Sequence, residues 1–494
     1  MALVVKVIVT NRAAMRAKYG QAGWARIRAE VRKLVVADKA RGVTTRMVTL
    51  DPASTPAQVK DRIDSLFAAN PPDYLMILGA NDVVPQCQLN NPLWTGNPSD
   101  DPDQFVPTDL PYACSVPLST SCAAYRGVNR VVGRLPDLVG AQEPSYLLSL
   151  LSRAARWTSL NAARPLDVLA ISTLTWRRST QTSVAAIGGA NGVVHTTPNE
   201  GPAWTNQQLN VPLLFVNCHG GQFDPTWYGE KFAHQATLPH AVDASRLRGL
   251  VRPGMTVASE SCYGAMHWDP ATAGGQPGVA ATLLGEGAAG VWASSTTSYG
   301  PSFGNSGADI ITRMFLETVV AGASIGRAAL DARQRFVAHA VSLDPIDLKT
   351  LGQFELLGDP SVHPIAAVST GPAGAPAIAD GVNRAIPGVR QRRVAMQAIG
   401  DALAGSISAT ADPRDRAGLS RARFGVIAGI DATDVAIRSF DVQSPVAAGA
   451  VTGTAGTSET YHVAFSGAAG RRSVVVVRTE PGAPASSRRL LPKR

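Results

Sequence analysis

The fold of this chain is decided by two matching units, Val211-Pro-Leu-Leu-Phe-Val-Asn-Cys-His219-Gly220-Gly221 and Met255-Thr-Val-Ala-Ser-Glu-Ser-Cys262-Tyr-Gly264. Each unit is an apolar run typical of a buried strand, followed by a reactive side chain and then by glycine. Residues 241–251 lie between the units and carry apolar side chains near one stripe of a helix, which Pro253-Gly254 would end. The stretch therefore predicts a β-α-β unit with two parallel strands.

The reactive side chains, His219 and Cys262, stand at the ends of the two predicted strands. Parallel strands joined by a right-handed crossover lie about 4.8 Å apart per step and end at the same edge of the sheet. An imidazole near a thiol can remove its proton, and the thiolate is the nucleophilic form. Gly220 would supply a backbone N–H beside that of Cys262, so that the two amides form an oxyanion hole. The pattern thus predicts a cysteine nucleophile with a histidine base.

A histidine base usually needs a neighbouring group that fixes its tautomer. The carboxylates nearest in sequence are Asp224, Glu230 and Glu260. Glu260 precedes Cys262 by two residues and shares its strand face if the alternation of a strand continues that far. Glu260 is therefore the predicted orienting acid.

Shorter motifs accompany the two units, in a fixed order along the chain: Asp73-Tyr-Leu-Met-Ile-Leu-Gly79, Thr108-Asp109-Leu-Pro-Tyr112, Val131-Val-Gly133-Arg134-Leu-Pro136, Gly290-Val-Trp-Ala-Ser-Ser295 and Phe354-Glu-Leu-Leu-Gly358-Asp359-Pro360-Ser361. With the two units, this series resembles the gingipain-type cysteine peptidases of clan CD, which have a caspase-like fold and a catalytic histidine that precedes the cysteine. The resemblance extends over residues 70–365 and departs from the family at Cys218, where a small residue or glycine is usual.

The resemblance implies a caspase-like parallel sheet covered by helices, and a cysteine endopeptidase. We expect no cofactor and no catalytic metal. Its partners would be protein or peptide substrates and a regulatory protein. In the resembled family two loops build the pocket for P1, the residue before the cleaved bond; here they would contribute Trp176, Arg177 and Arg178, and Ser295 and Tyr299. Because Arg177 and Arg178 would repel a basic side chain and attract a carboxylate, an acidic or small polar P1 residue is predicted.

Two other functions remain open at this level. A caspase-like fold can bind a partner protein without catalysis, and Gly300-Pro-Ser302-Phe-Gly304 matches the nucleophile elbow of serine hydrolases. Pro301 fixes φ where such an elbow needs a strained turn, which weakens the serine alternative. A metal site made of Cys218, His219, Cys262 and His267 is disfavoured, because adjacent residues of a strand point to opposite faces.

The composition is ordinary for a globular protein. The chain has 494 residues, 45% of them hydrophobic, which is enough for a sizeable core. The formal net charge of +9 is spread along the chain and does not indicate nucleic-acid binding. Five cysteines without a CxxC pair are typical of a reducing compartment. Without a signal-peptide pattern or an apolar run of roughly 20 residues, a bacterial-type cytoplasmic protein that does not contact membranes is predicted.

The order of strand-like and helix-like segments indicates an α/β protein with several parts. Residues 1–140 are predicted to form an N-terminal α/β subdomain, and 141–366 the caspase-like catalytic domain. A shift in composition at 367–380 indicates a linker. Residues 381–485 are predicted to form a small accessory domain of α+β or β-rich structure. The basic end, 486–494, is predicted to be a disordered tail in solvent.

Overall fold

A computed structural model gives the structure of the chain. It describes residues 4–161, 165–187, 190–232, 235–301, 304–339, 343–366, 424, 427–428, 437–443, 458–466, 473–479 and 486–493. The predicted linker at 367–380 lies outside the described residues.

The described chain alternates strands and helices over its first three quarters and then continues in strands. The strands are β1 (Val4–Thr10), β2 (Val43–Thr49), β3 (Tyr74–Leu78), β4 (Cys87–Asn90), β5 (Phe105–Thr108), β6 (Val132–Leu135), β7 (Leu166–Thr173), β8 (Ala190–Thr197), β9 (Leu213–Asn217), β10 (His219–Gly220), β11 (Thr226–Tyr228), β12 (His240–Asp243), β13 (Thr256–Ser259), β14 (Gly290–Ser294), β15 (Tyr299–Gly300), β16 (Phe354–Gly358), β17 (Ile437–Gln443), β18 (Ser458–Ser466), β19 (Ser473–Thr479) and β20 (Ser486–Pro492). The α-helices are α1 (Arg12–Ala40), α2 (Pro56–Ala69), α3 (Ser145–Ala155), α4 (Arg177–Ala186), α5 (Asn206–Leu209), α6 (Val279–Glu286), α7 (Ala308–Val320), α8 (Ile325–His339) and α9 (Pro345–Gln353).

One ten-stranded sheet forms the centre of the protein, in the order β2-β1-β3-β6-β16-β14-β13-β9-β7-β8. Its strands are short apolar runs; every residue of β3, β9, β14 and β16 is buried. Such continuous burial is typical of a parallel sheet with helices on both faces. The α/β class predicted from the sequence is confirmed. No helix in the described ranges is long and apolar enough to cross a membrane.

The sheet has two halves whose strands run in opposite directions. Every neighbouring pair is parallel except β14 and β16, which pair antiparallel with Gly290 opposite Gly358. The first half contains β2, β1, β3, β6 and β16, and the second contains β14, β13, β9, β7 and β8. One continuous sheet therefore contains strands from both sides of the predicted boundary at residue 140.

The connection between the two matching units differs from the prediction. β9 and β13 are parallel neighbours, as expected for their type of unit. The segment between them is not one helix: it contains β12 and a short 3₁₀ turn at Ala244–Arg246. The reason is tertiary pairing, because Val242 lies opposite Trp227 in a small antiparallel sheet made of β10, β11 and β12. Burial of a β-branched side chain on this sheet outweighs the weak helical stripe.

A second, smaller sheet is antiparallel and has the order β15-β20-β19-β18-β17. Apolar side chains on one of its faces, Leu490 among them, pack with Leu93, Tyr299 and Ile346 of the main body. The prediction of a disordered basic tail is wrong for 486–493, because this segment forms β20 and ends in the fully buried Lys493.

Candidate active site

The strand register brings His219 and Cys262 to the same edge of the sheet. Val216 of β9 lies opposite Ser259 of β13. His219 follows Val216 by three positions, and Cys262 follows Ser259 by the same three positions. Neighbouring strands lie about 4.8 Å apart, so equal offsets keep the two chains side by side beyond the last paired residues. Both residues are almost fully buried, with 5% of His219 and 1% of Cys262 exposed.

Gly220 lies directly against the backbone of Cys262. A Cβ on Gly220 would stand 2.1 Å from the carbonyl oxygen of Cys262 and 3.3 Å from its nitrogen. Any other residue would have to push the two chains apart, so the close approach requires glycine. The backbone N–H groups of Gly220 and Cys262 can therefore face one small space.

The chain turns sharply just after Cys262. Tyr263 has a φ of 57°, a left-handed conformation that is uncommon for a bulky residue. Its backbone N–H donates to the carbonyl of Thr296 at 3.1 Å, and its hydroxyl donates to Asp103 at 2.9 Å. These contacts hold a conformation that costs about 1–3 kcal/mol on its own.

The space between the two amides holds the backbone carbonyl of Lys493. Gly220 donates its N–H to this oxygen at 3.0 Å, and Cys262 donates its N–H to the same oxygen at 3.2 Å. Lys493 in turn donates its own N–H to the carbonyl of Ser298 at 2.8 Å. The backbone N–H of Ser298 points to the Sγ of Cys262 at 3.1 Å, and the same Sγ lies 3.6 Å from the carbonyl oxygen of Ser298.

The residues before Lys493 lie extended along the rim of this site. β20 pairs antiparallel with β15, with Pro492 opposite Tyr299 and Leu491 opposite Gly300. A strand added to an exposed edge is a common way for proteins to bind peptides, in which backbone hydrogen bonds set the register and pockets select side chains. The segment therefore has the geometry of a bound peptide, with the carbonyl of Lys493 at the backbone N–H of Cys262.

A buried acidic pocket surrounds the side chain of Lys493. Its Nζ donates to Asn217 Oδ1 at 2.8 Å, to Asp309 Oδ1 at 3.0 Å and to the carboxylate of Glu260. It also lies 5.1 Å from the ring centroid of Trp176, within the range of a cation–π contact. The pocket thus offers two carboxylates, one amide oxygen and one aromatic face to a single ammonium group.

Gly300 leaves the passage into this pocket open. A Cβ at Gly300 would lie 2.5 Å from Cε and 2.7 Å from Nζ of Lys493, and 3.1 Å from Oδ2 of Asp309. The lysine side chain passes through the volume that any other residue would fill.

The charges in the pocket stabilise one another against the cost of burial. Burial, and then the proximity of Asp309, raises the pKa of Glu260 well above its usual range. Burial alone would lower the pKa of Lys493, but Asp309 and Glu260 outweigh that effect and raise it. Lys493 therefore stays protonated inside the protein, where an unpaired ammonium would be strongly disfavoured.

Glu230 is the carboxylate beside His219. Its Oε2 lies 3.5 Å from Nε2 of the imidazole, and Thr175 donates its hydroxyl to the same oxygen at 2.6 Å. The His219 ring also lies 4.7 Å from the ring of Trp176, centroid to centroid. Within the described residues neither imidazole nitrogen has a hydrogen-bond partner, so the ring is held by packing and by this acid.

Glu260, the predicted orienting acid, faces the lysine pocket. Its carboxylate accepts from Thr312 at 3.2 Å and from Lys493. The alternation used for the prediction ends with β13 at Ser259, so it does not govern the side chain that follows. Glu230 reaches His219 instead, because the hairpin of β10 and β11 sets Tyr228 opposite His219.

No protein-family profile matches the chain, and no curated protein matches it. One solved structure, described as "Structure of Protease", aligns with 99% of this chain and 98% of its own, at 14% identity and a TM-score of 0.49.

The predicted pocket residues lie in different environments. Trp176 is fully buried against Lys493, but Arg177 and Arg178 begin α4 and are exposed. The buried face of α4 carries Ser179, whose hydroxyl donates to Asp309 at 2.7 Å. Because α4 turns this face toward the pocket, its two arginines do not line the space around the lysine.

The loop after β14 is held in place by side-chain hydrogen bonds. Ser295 donates its hydroxyl to the carbonyl of Pro107 at 2.7 Å, and Tyr299 donates its hydroxyl to Asp101 at 2.9 Å. Tyr299 contacts the bound segment through its backbone, by pairing with Pro492.

A buried ionic cluster that the sequence did not indicate holds this loop in place. Lys349 of α9 donates to Asp101 at 2.6 Å and to Asp103 at 3.2 Å, and Asp103 accepts the backbone N–H of Thr297 at 2.8 Å. The one available signal was the long loop-rich segment after Pro85, whose length is typical of a functional loop.

The alternative chemistries are not assembled in the described residues. Ser302 of the elbow motif lies outside them, and Gly300 belongs to β15. Cys218 points its thiol toward the carbonyl of Ile171 at 3.8 Å, and burial raises its pKa. Burial lowers the pKa of His267 to about 3, with Arg134 and Lys18 adding to the effect. Among the described residues no group of three or more His, Cys, Asp or Glu side chains could hold a metal ion.

Proposed function

We propose that this chain is a cysteine endopeptidase with a caspase-like fold that cleaves peptide bonds after lysine. One observation carries the proposal: a backbone carbonyl accepts the amides of Gly220 and Cys262, while the side chain of the same residue lies in a pocket with two carboxylates. A peptidase must bind its P1 residue in this way, with the carbonyl at the nucleophile and the side chain in a specificity pocket.

In the proposed reaction, the thiolate of Cys262 attacks the P1 carbonyl carbon. The oxygen becomes an oxyanion, and the amides of Gly220 and Cys262 stabilise it. His219 gives its proton to the leaving amine and later takes one from the water that hydrolyses the acyl-enzyme. Glu230, whose Oε2 lies 3.5 Å from Nε2 of His219, keeps the imidazole oriented. The resemblance to gingipain-type peptidases, with its matching order of histidine and cysteine, supports the same roles.

The pocket supports a preference for lysine at P1. This preference replaces the acidic or small polar P1 residue predicted from Arg177 and Arg178. Glu260 and Asp309 would repel an acidic P1 side chain at short range in a buried environment. Both arginines are exposed at the start of α4 and do not line the pocket that would select the P1 side chain.

A thiol-reactive peptide probe with lysine at P1 tests the proposed nucleophile. The Lys493→Gln chain should be labelled at Cys262, because this change removes the resident ammonium from the pocket. Labelling should be lost in Cys262→Ser and strongly slowed in His219→Ala. Cys218→Ala is the matched control and should be labelled normally, since its thiol points away from the site. Equal labelling of Cys262 in the presence and absence of His219 would argue for a merely reactive thiol and against a peptidase.

Gly300→Ala tests the pocket itself. The added methyl group occupies space beside Cε and Nζ of a bound lysine. In the Lys493→Gln chain, where the resident lysine does not compete, we expect kcat/KM for lysine peptides to fall by roughly 10- to 200-fold, the effect of one misplaced methyl group in a tight pocket. Peptides with alanine at P1 serve as the internal control and should change little. A parallel fall for both peptides would show that Gly300 supports the fold and does not define the pocket.

A further inference from the structure

We propose that the protein is its own substrate and that Cys262 cleaves the Lys493–Arg494 peptide bond of the same chain. This inference rests on the proposed function and names one substrate for it. The direction of the bound segment decides which bond is cleaved. The carbonyl between the two amides is that of Lys493, so a nucleophile that attacks this carbonyl would break the peptide bond that continues to Arg494.

The bound segment is held along its whole length. β20 pairs with β19 on one edge and with β15 on the other. Arg488 forms ion pairs with Asp344 and Asp347 of the main body, the latter at 3.1 Å. Leu490 is fully buried in the apolar cluster beneath the sheet. A segment ordered by pairing, charge and burial presents the same bond to Cys262 continuously, which gives an intramolecular reaction a high effective concentration.

The proposed self-cleavage needs water as its only additional reactant. The Sγ of Cys262 forms a bond to the carbonyl carbon of Lys493, the carbon–nitrogen bond to Arg494 breaks, and the leaving nitrogen takes a proton from His219. Water then attacks the thioester, gives a proton to His219 and restores the thiolate. The products are a carboxylate on Lys493 and a free amino group on Arg494.

After cleavage, the new chain end at Lys493 should remain bound in the site. Cleavage leaves intact the contacts of the lysine side chain, β20 and Arg488, because all of them lie before the cut bond. A product tethered to its own site competes with external substrates at an effective concentration in the millimolar range. The processed chain should therefore hydrolyse lysine peptides slowly unless β20 is displaced.

Mass spectrometry of the peptide that contains Lys493 tests self-cleavage. The purified 494-residue chain should yield a peptide that ends at Lys493, whereas Cys262→Ala and Cys262→Ser should yield one that continues through Arg494. These variants also control for trimming by host exopeptidases, which would remove Arg494 from all three. Retention of Arg494 in the wild-type chain, or its loss from the cysteine variants, would overturn the inference.

Lys493→Gln separates a failure of this inference from a failure of the proposed function. It should keep Arg494 and hydrolyse external lysine peptides at least about tenfold faster than the wild type, since the tethered competitor is weakened. If it hydrolyses these peptides while the wild type keeps Arg494, self-cleavage is refuted and the peptidase stands. If Lys493→Gln, with an unchanged unfolding temperature, hydrolyses no lysine peptide and the wild type also keeps Arg494, both proposals fail.

Discussion

Replacing Cys262 by alanine should reduce the hydrolysis of lysine peptides by at least about 10⁴-fold, because the proposed acyl-enzyme forms on the Sγ of this residue. The measurement is kcat/KM in the Lys493→Gln chain, where the resident lysine does not compete. The fold should persist, since the thiol is small and the two amides around the carbonyl belong to the backbone.

Two further variants make this result specific. His219→Ala should cause a loss of similar order, and the double variant should be no worse than the worse single variant, because nucleophile and base act as one unit. Cys218→Ala, one residue from His219 but with its thiol turned toward Ile171, should retain turnover. Additive losses in the double variant would contradict a shared catalytic step.

Removing the charge of the pocket should produce the second largest effect. Asp309→Asn and Glu260→Gln each preserve shape but take away one carboxylate from the buried ammonium. Truncating one partner of a buried charge pair typically costs about 2–5 kcal/mol, so kcat/KM for lysine peptides should fall by roughly 30- to 4,000-fold. Alanine-P1 peptides should be affected far less, and Asp224→Asn, a carboxylate near the hairpin, is the matched control.

The same pocket predicts a dependence on pH. A carboxyl group with a raised pKa takes up its proton at a higher pH than an ordinary glutamate, and Glu260 is raised by burial and by Asp309. As the pH falls through that pKa, the pocket loses negative charge and lysine-specific kcat/KM should fall. Glu260→Gln should flatten this acidic limb, while the alanine-P1 profile should be the same with and without this change. An unchanged lysine profile in Glu260→Gln would exclude this assignment.

The sequence by itself determined the class of fold and the neighbourhood of the candidate pair. Apolar runs that end in a reactive residue and glycine indicate buried parallel strands, and the equal offsets of His219 and Cys262 place them at one sheet edge. These are local features, because strand burial and period-two alternation depend on neighbouring residues of the chain.

The tertiary structure decided everything that joins distant parts of the chain. Lys493 contacts Glu260 across 233 residues of sequence, and a basic end preceded by Leu-Leu-Pro has no local signal that separates a bound strand from a solvated tail. The choice of Glu230 over Glu260 beside His219 depends on a hairpin that only pairing with β12 completes. The alternation of side chains applies only within regular strands. The candidate active site lies in the turns just beyond the strand ends, where long-range contacts determine the direction of each side chain.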